Sequence, residues 1–117
     1  MSPRSARFYL DDIFAASRNI STFLVGINSA DELEHDLKTF HAVIHNIEII
    51  GEACRQMPRS LKTRYSQIPW QKISNMRNII AHEYFGVDAE LVWQVCQKSI
   101  PELEGQIKNI YADFPQA

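Results

Sequence analysis

Leu37-Lys38-Thr39-Phe40-His41-Ala42-Val43-Ile44-His45-Asn46-Ile47-Glu48-Ile49-Ile50-Gly51-Glu52-Ala53-Cys54 brings an apolar residue back every three or four positions. Leu37, Phe40, Ile44, Ile47 and Cys54 make one seam on a helix, and Val43 and Ile50 make a second beside it. A strand would alternate with a period of two, and no such run competes. A stripe this wide predicts a helix packed on two sides, within a bundle and against a partner chain. Gly51 lies inside it and costs about 1 kcal/mol relative to alanine; close approach of another helix would explain that residue. Pro58 limits the helix to Gln56 or Met57. Upstream, Ser29 and Glu32 form a capping box, and Asp31 and Glu32 suit the positive end of the helix dipole. The pattern allows a break near Asp36.

The same spacing extends in both directions. From Ser5 to Ile27, apolar residues recur at Leu10, Ile13, Ile20, Leu24 and Ile27, widened by Phe14 and Phe23. Gly26 and Asn28-Ser29 end that helix. Arg59 to Tyr65 can form a short helix, followed by a turn from Ser66 to Pro69. Pro69 fits the first turn of a helix from Trp70, since its missing N–H is harmless there. That helix points Ile73, Met76 and Ile80 toward the core and stops before Gly86. Asp88 caps a last long helix through Leu91, Val92, Val95, Leu103, Ile107, Ile110 and Phe114, which Pro101 must kink or split. The fold class is all-α, a four- to five-helix up-down bundle formed by one domain over residues 1–117.

At 117 residues the chain is long enough for a core but near the small end for a stable monomer. An apolar content of 45% with 22% charged residues places it among ordinary soluble globular proteins. No run of 18 apolar residues and no basic-then-apolar leader appears, so a cytoplasmic location without membrane contact is expected. Cys54 and Cys96 lack disulfide or zinc spacing and read as buried thiols. The net charge of −2 argues against a general nucleic-acid coat. Its distribution is uneven. Between Ala53 and His82 there is no Asp or Glu, while Arg55, Arg59, Lys62, Arg64, Lys72 and Arg77 fall there. Alone this is a solvated charge run; beside a phosphate-handling motif it could attract a polyanion.

Such a motif is present. Met76-Arg77-Asn78-Ile79-Ile80-Ala81-His82-Glu83-Tyr84-Phe85 has the form Arg-Asn-x3-His-x-Tyr. It supplies an always-charged donor fork, a group that titrates near neutrality and a phenol. At about 100° per residue, Asn78 shares a face with His82, and Arg77 shares another with Tyr84. Arg77 and His82 diverge by roughly 140° on a regular helix. Either the helix loosens before His82, or two motifs meet across a two-fold axis. His41, His45, Glu48 and Glu52 form a polar stripe at helical spacing. The two histidines, one turn apart, have metal-ligand spacing. No further ligand cluster supports them, so a polar or inter-subunit face is the expectation, with neither metal nor cofactor.

The motif resembles the signature of HepT-like toxins of the HEPN superfamily, partners of an MntA-like minimal nucleotidyltransferase antitoxin. Tyr9-Leu10-Asp11-Asp12-Ile13, Glu48-Ile49-Ile50-Gly51-Glu52-Ala53 and Ile100-Pro101-Glu102-Leu103 are similar to that family as well, in order along nearly the whole chain. The resemblance implies a homodimer formed through helices around the motif, whose shared cleft cleaves RNA without metal. The ribose 2′-hydroxyl would attack the adjacent phosphorus. His82 would act as acid or base, Arg77 would hold the non-bridging oxygens, and Asn78 would orient the histidine or bind phosphate. Glu48 and Glu52 would be orienting groups. Tyr84 would be the residue to which the antitoxin transfers AMP, excluding substrate. At His45 the chain departs from the arginine expected of the family, so no catalytic role carries over there. HEPN domains include members that bind without cutting. The alternative is therefore a non-catalytic helical dimer that binds a nucleotidyltransferase, nucleotide or RNA.

Overall fold

The structure, a computed structural model, describes residues 5–82 and 88–113, the side chains of 77–82 excepted, and most of the apolar periodicity there becomes helix. α1 spans Ala6–Phe23 and starts where the Ser5 hydroxyl accepts the Phe8 N–H. It ends four residues short of the expected Ile27. Gly26 adopts a φ of 86°, a left-handed conformation that only glycine enters without strain, and the helix cannot pass it.

α2, Ala30–His35, is opened by the expected capping box. The Ser29 hydroxyl accepts the Glu32 N–H at 3.1 Å, and the Glu32 carboxylate reaches back to the Asn28 N–H at 3.1 Å. The break at Asp36 is real. Its carboxylate accepts the Thr39 N–H at 3.1 Å and so caps a new helix, α3, Leu37–Gln56. A short α4, Arg59–Arg64, leads into α5, Trp70–His82. The turn between them is pinned by the Trp70 indole N–H, which donates to the Tyr65 carbonyl at 3.1 Å.

The last helical stretch shows how Pro101 is tolerated. α6, Ala89–Gln94, is capped by Asp88 and runs into a π-helical turn, Val95–Ser99; α7, Ile100–Asp113, follows without interruption. In the wider turn the Ile100 N–H bonds to the Val95 carbonyl, five residues back. Pro101 has no N–H to give, and the widening immediately before it relieves the clash of its ring with the preceding turn. The expected kink or split takes the form of one surplus residue in a continuous helix.

α3 lies between α1 and α5; α7 packs on α1, and α2 on α6. The core joins Leu10, Ile13 and Ile20 of α1 with Val43, Ile47 and Ile50 of α3, and Leu103, Ile107 and Ile110 of α7. One expectation is corrected here. Val43, Ile47, Ile50 and Cys54 are fully buried within a single chain, and Phe40 and Ile44 nearly so, so α3 keeps no second seam for a partner. Both flanks of α3 are covered by helices of its own chain. Leu37, assigned to the first seam, is instead 64% exposed at the start of the helix.

Polar contacts fix the helices relative to one another. The Ser17 hydroxyl donates to Glu104 at 2.7 Å, joining α1 to α7. The Tyr111 hydroxyl donates to Asp11 at 2.6 Å, and the Tyr65 hydroxyl to Asp113 at 2.6 Å. Asn46, buried in α3, donates to the Ala42 carbonyl and accepts from Asn19 of α1. Among the described residues no helix is long and apolar enough to cross a membrane.

Candidate active site

α5 carries the motif. Its regular start follows from Pro69, whose carbonyl accepts the Ile73 N–H at 3.0 Å, and from Trp70 and Ile73, which are buried and tie its first turn to the core. The backbone is helical through Arg77, Asn78 and His82. The side chains of these three residues, and Tyr84 altogether, lie outside the described residues.

α3, which carries the expected orienting residues Glu48 and Glu52, packs against α5 on one side and α1 on the other. Between α1 and α3 a cleft of about 650 Å³ is lined by Tyr9 and Asp12 from one helix and His45, Glu48, Ile49 and Glu52 from the other. Helical spacing explains the set: 45, 48, 49 and 52 fall on one face of α3, and 9 and 12 on one face of α1. Two sequence blocks thus meet, Tyr9–Ile13 and Glu48–Ala53. Glu48 and Glu52, expected as orienting groups, are half-buried here. Glu52 accepts from Arg55 at 2.6 and 3.1 Å and from Gln56 at 3.1 Å. Its carboxylate raises the pKa of Arg55, first through the hydrogen bond and then through charge.

Tyr9 and Asp12 line this cleft with Glu48 and Glu52, a grouping that residue-by-residue reading did not single out, and no α5 residue joins them among the lining residues. The available signal was their place in a block shared with the resembled family. Spacing along one helix does not reveal a cleft that needs two. His41 and His45 are both exposed, and among the described residues no group of three or more His, Cys, Asp or Glu side chains converges to hold a metal.

The cysteines are buried and free, as expected. Burial pushes the Cys54 thiol up to about 12, against a smaller opposing effect of Lys62, and pushes Cys96 up to about 12 as well. Neither is a nucleophile at neutral pH, because the reactive species is the thiolate.

An all-α bundle whose central helix adjoins an Arg-Asn-x3-His helix defines an HEPN-like protein. The chain belongs to the HepT-like ribonucleases: the family described as "Ribonuclease HepT-like" matches residues 13–110, a span that includes α3, α5 and the whole motif. A probable ribonuclease HepT of Thermococcus cleftensis is 39% identical over 107 residues, covering 92% of this chain and 96% of that protein. A candidate RNase of Caldanaerobacter subterraneus subsp. tengcongensis is 36% identical over 107 residues, covering 92% and 95%. A candidate RNase of Methanocaldococcus jannaschii is 32% identical over 114 residues, covering 97% and 93%. No solved structure gives a significant match.

Proposed function

We propose that this protein is a metal-independent endoribonuclease and the toxin of a pair whose antitoxin is a minimal nucleotidyltransferase, acting in the cytoplasm. The observation that carries the reading is the family match across residues 13–110, which includes Arg77, Asn78 and His82 in motif order. The substrate supplies its own nucleophile. His82 removes the 2′-hydroxyl proton or protonates the leaving 5′-oxygen, since an imidazole with an ordinary pKa of about 6.5 serves either role near neutrality. Arg77 neutralises the charge that builds on the non-bridging oxygens. Asn78, four residues before His82, orients the imidazole or binds phosphate, and Glu48 and Glu52 support the site from α3.

The backbone of α5 bears on how these groups meet. Positions 77 and 82 are five residues apart on a backbone that is helical to His82, about 140° around the helix axis. This spacing supports a homodimer in which two motifs share one cleft over a helix that loosens before His82. The test is incubation of purified protein with single-stranded RNA in chelator. Cleavage is expected, with 2′,3′-cyclic phosphate ends, and Arg77→Ala and His82→Ala should each lower the rate by at least 100-fold, on the order expected for general acid–base groups. Activity abolished by EDTA and restored by a divalent ion overturns the mechanism.

Tyr84 is the proposed control point. Transfer of AMP from ATP to its hydroxyl, with release of pyrophosphate, puts a negative charge two residues from His82 and repels the RNA phosphate. The same cleavage assay, run after incubation with the nucleotidyltransferase and ATP, should show loss of activity in step with modification of Tyr84. Tyr84-modified protein that cuts at full rate would sink this regulation and leave the cleavage chemistry standing.

A further inference from the structure

The acid-free stretch from Ala53 to His82 forms, at the junction of α4 and α5, a cavity of about 460 Å³ lined by Lys62, Ser66, Trp70, Gln71 and Lys72. We propose that this cavity is a phosphate subsite for the RNA strand, which engages a backbone phosphate a few nucleotides from the bond being cut. The inference rests on the ribonuclease reading for its ligand and goes beyond it in assigning a second contact point.

Geometry and charge both support the assignment. Lys62 comes from the last turn of α4 and Lys72 from the first turn of α5, so the ammonium groups approach one cavity from two elements. The Lys62 stem is held in place because its Nζ donates to the Arg55 carbonyl at 3.2 Å, which leaves two further N–H groups for a ligand. Lys72 is exposed, and among the described residues it has no ion-pair partner. Trp70 is buried beneath the cavity with its indole N–H committed to the Tyr65 carbonyl, so the floor is rigid. The nearby acids are already engaged: Glu52 by Arg55 and Gln56, and Asp113 by the Tyr65 hydroxyl.

Position then selects the ligand. Ten residues of helix separate Lys72 from His82, about 15 Å at 1.5 Å per residue. That separation spans a few nucleotides of single strand, and ten residues bring positions 72 and 82 to within about 80° of each other around the helix. A polyanion with evenly spaced charges can occupy both ends at once; a mononucleotide cannot. Lys62 and Lys72 are therefore positioning residues, remote from the reacting phosphorus.

The test compares wild-type protein with Lys62→Gln, Lys72→Gln and the double variant. A labelled 2′-O-methyl RNA oligonucleotide, which has no 2′-hydroxyl nucleophile, is titrated with each while anisotropy is read at several salt concentrations. Each lost contact should lower the slope of log K against log salt by about 0.7, which weakens binding about fivefold per lysine at 0.1 M salt. Lys72→Arg should keep the wild-type slope. For cleavable RNA, KM should rise by the same factor with kcat unchanged, and turnover of a dinucleotide, too short to reach the cavity, should not change. Unaltered affinity and slope in the double variant overturn the subsite while leaving the ribonuclease reading intact. Conversely, wild-type protein that cuts no RNA defeats that reading, yet the anisotropy series still decides the subsite. Variants that bind RNA normally but lose the nucleotidyltransferase would assign the patch to a protein partner and refute the proposal.

Discussion

Cys54 and Cys96 carry a pH dependence that can be stated with its sign. Each thiol is pushed up to about 12 by burial, against about 8.5 in an unfolded chain. A proton is therefore held more tightly by the folded state. Stability from these groups is fully present below pH ~8.5 and is lost as pH climbs from there toward 12. Tyr65 and Tyr111 add to the same limb from about pH 10, because burial, and then their bonds to Asp113 and Asp11, raise their pKa values. Melting temperature should fall progressively above pH 9, and a combined Cys54→Ala, Cys96→Ala variant should show a shallower fall. At pH 8 both thiols should resist a thiol reagent until the protein unfolds. Rapid labelling of the native protein would contradict their burial. Residue type, spacing and the family resemblance single out Arg77, Asn78, His82 and Tyr84 as candidates, and their side chains lie outside the described residues. The grouping of Tyr9 and Asp12 with Glu48 and Glu52 could not be read in this way, because it exists only once α1 lies on α3.

At the scale of elements, capping explains where the helices begin. Asp36 closes α2 and opens α3, with its carboxylate on the Thr39 N–H. Asp36→Ala should cost about 1 kcal/mol and lower the melting temperature by several degrees, and Asp36→Asn should recover most of it. An unchanged melting temperature would mean that packing alone starts the helix. The capping box, the break at Asp36 and the short α4 could all be read from side-chain chemistry along a local segment. Gly26 was read correctly as a stop for α1, and only the inclusion of Leu24 and Ile27 in the helix went too far, because they continue the apolar period beyond its end. The π turn was missed for a related reason: Val92, Val95 and Ile100 look periodic, and one surplus residue hardly disturbs a stripe read by eye.

For the whole molecule, the helical class was legible and the partner surface was not. A wide apolar stripe on α3 suggested a face left over for a second chain, yet α1 and α5 consume both seams. A periodicity says how much of a helix is buried; it does not say whose side chains bury it. The proposed homodimer must therefore form without the α3 seam. Light scattering across micromolar concentrations should give a mass near 27 kDa, twice the 13.5 kDa of one chain. A strict monomer at every concentration that still cleaves RNA would overturn the shared-cleft arrangement.

The π turn before Pro101 also bears on how this chain can change length. A helix with a π turn holds one residue more than regular α-helix would between the same flanks. The stored residue leaves α6 in phase with α2 and α7 in phase with α1, since the bulge takes up the 100° that an added residue would otherwise pass down the helix. Gain or loss of one residue within Val95–Ser99 is thus a change in bulging, whereas the same change between Leu103 and Ile110 rotates a buried stripe into solvent. Proline marks the boundary between the two regimes, and indels in the C-terminal half have a permitted address.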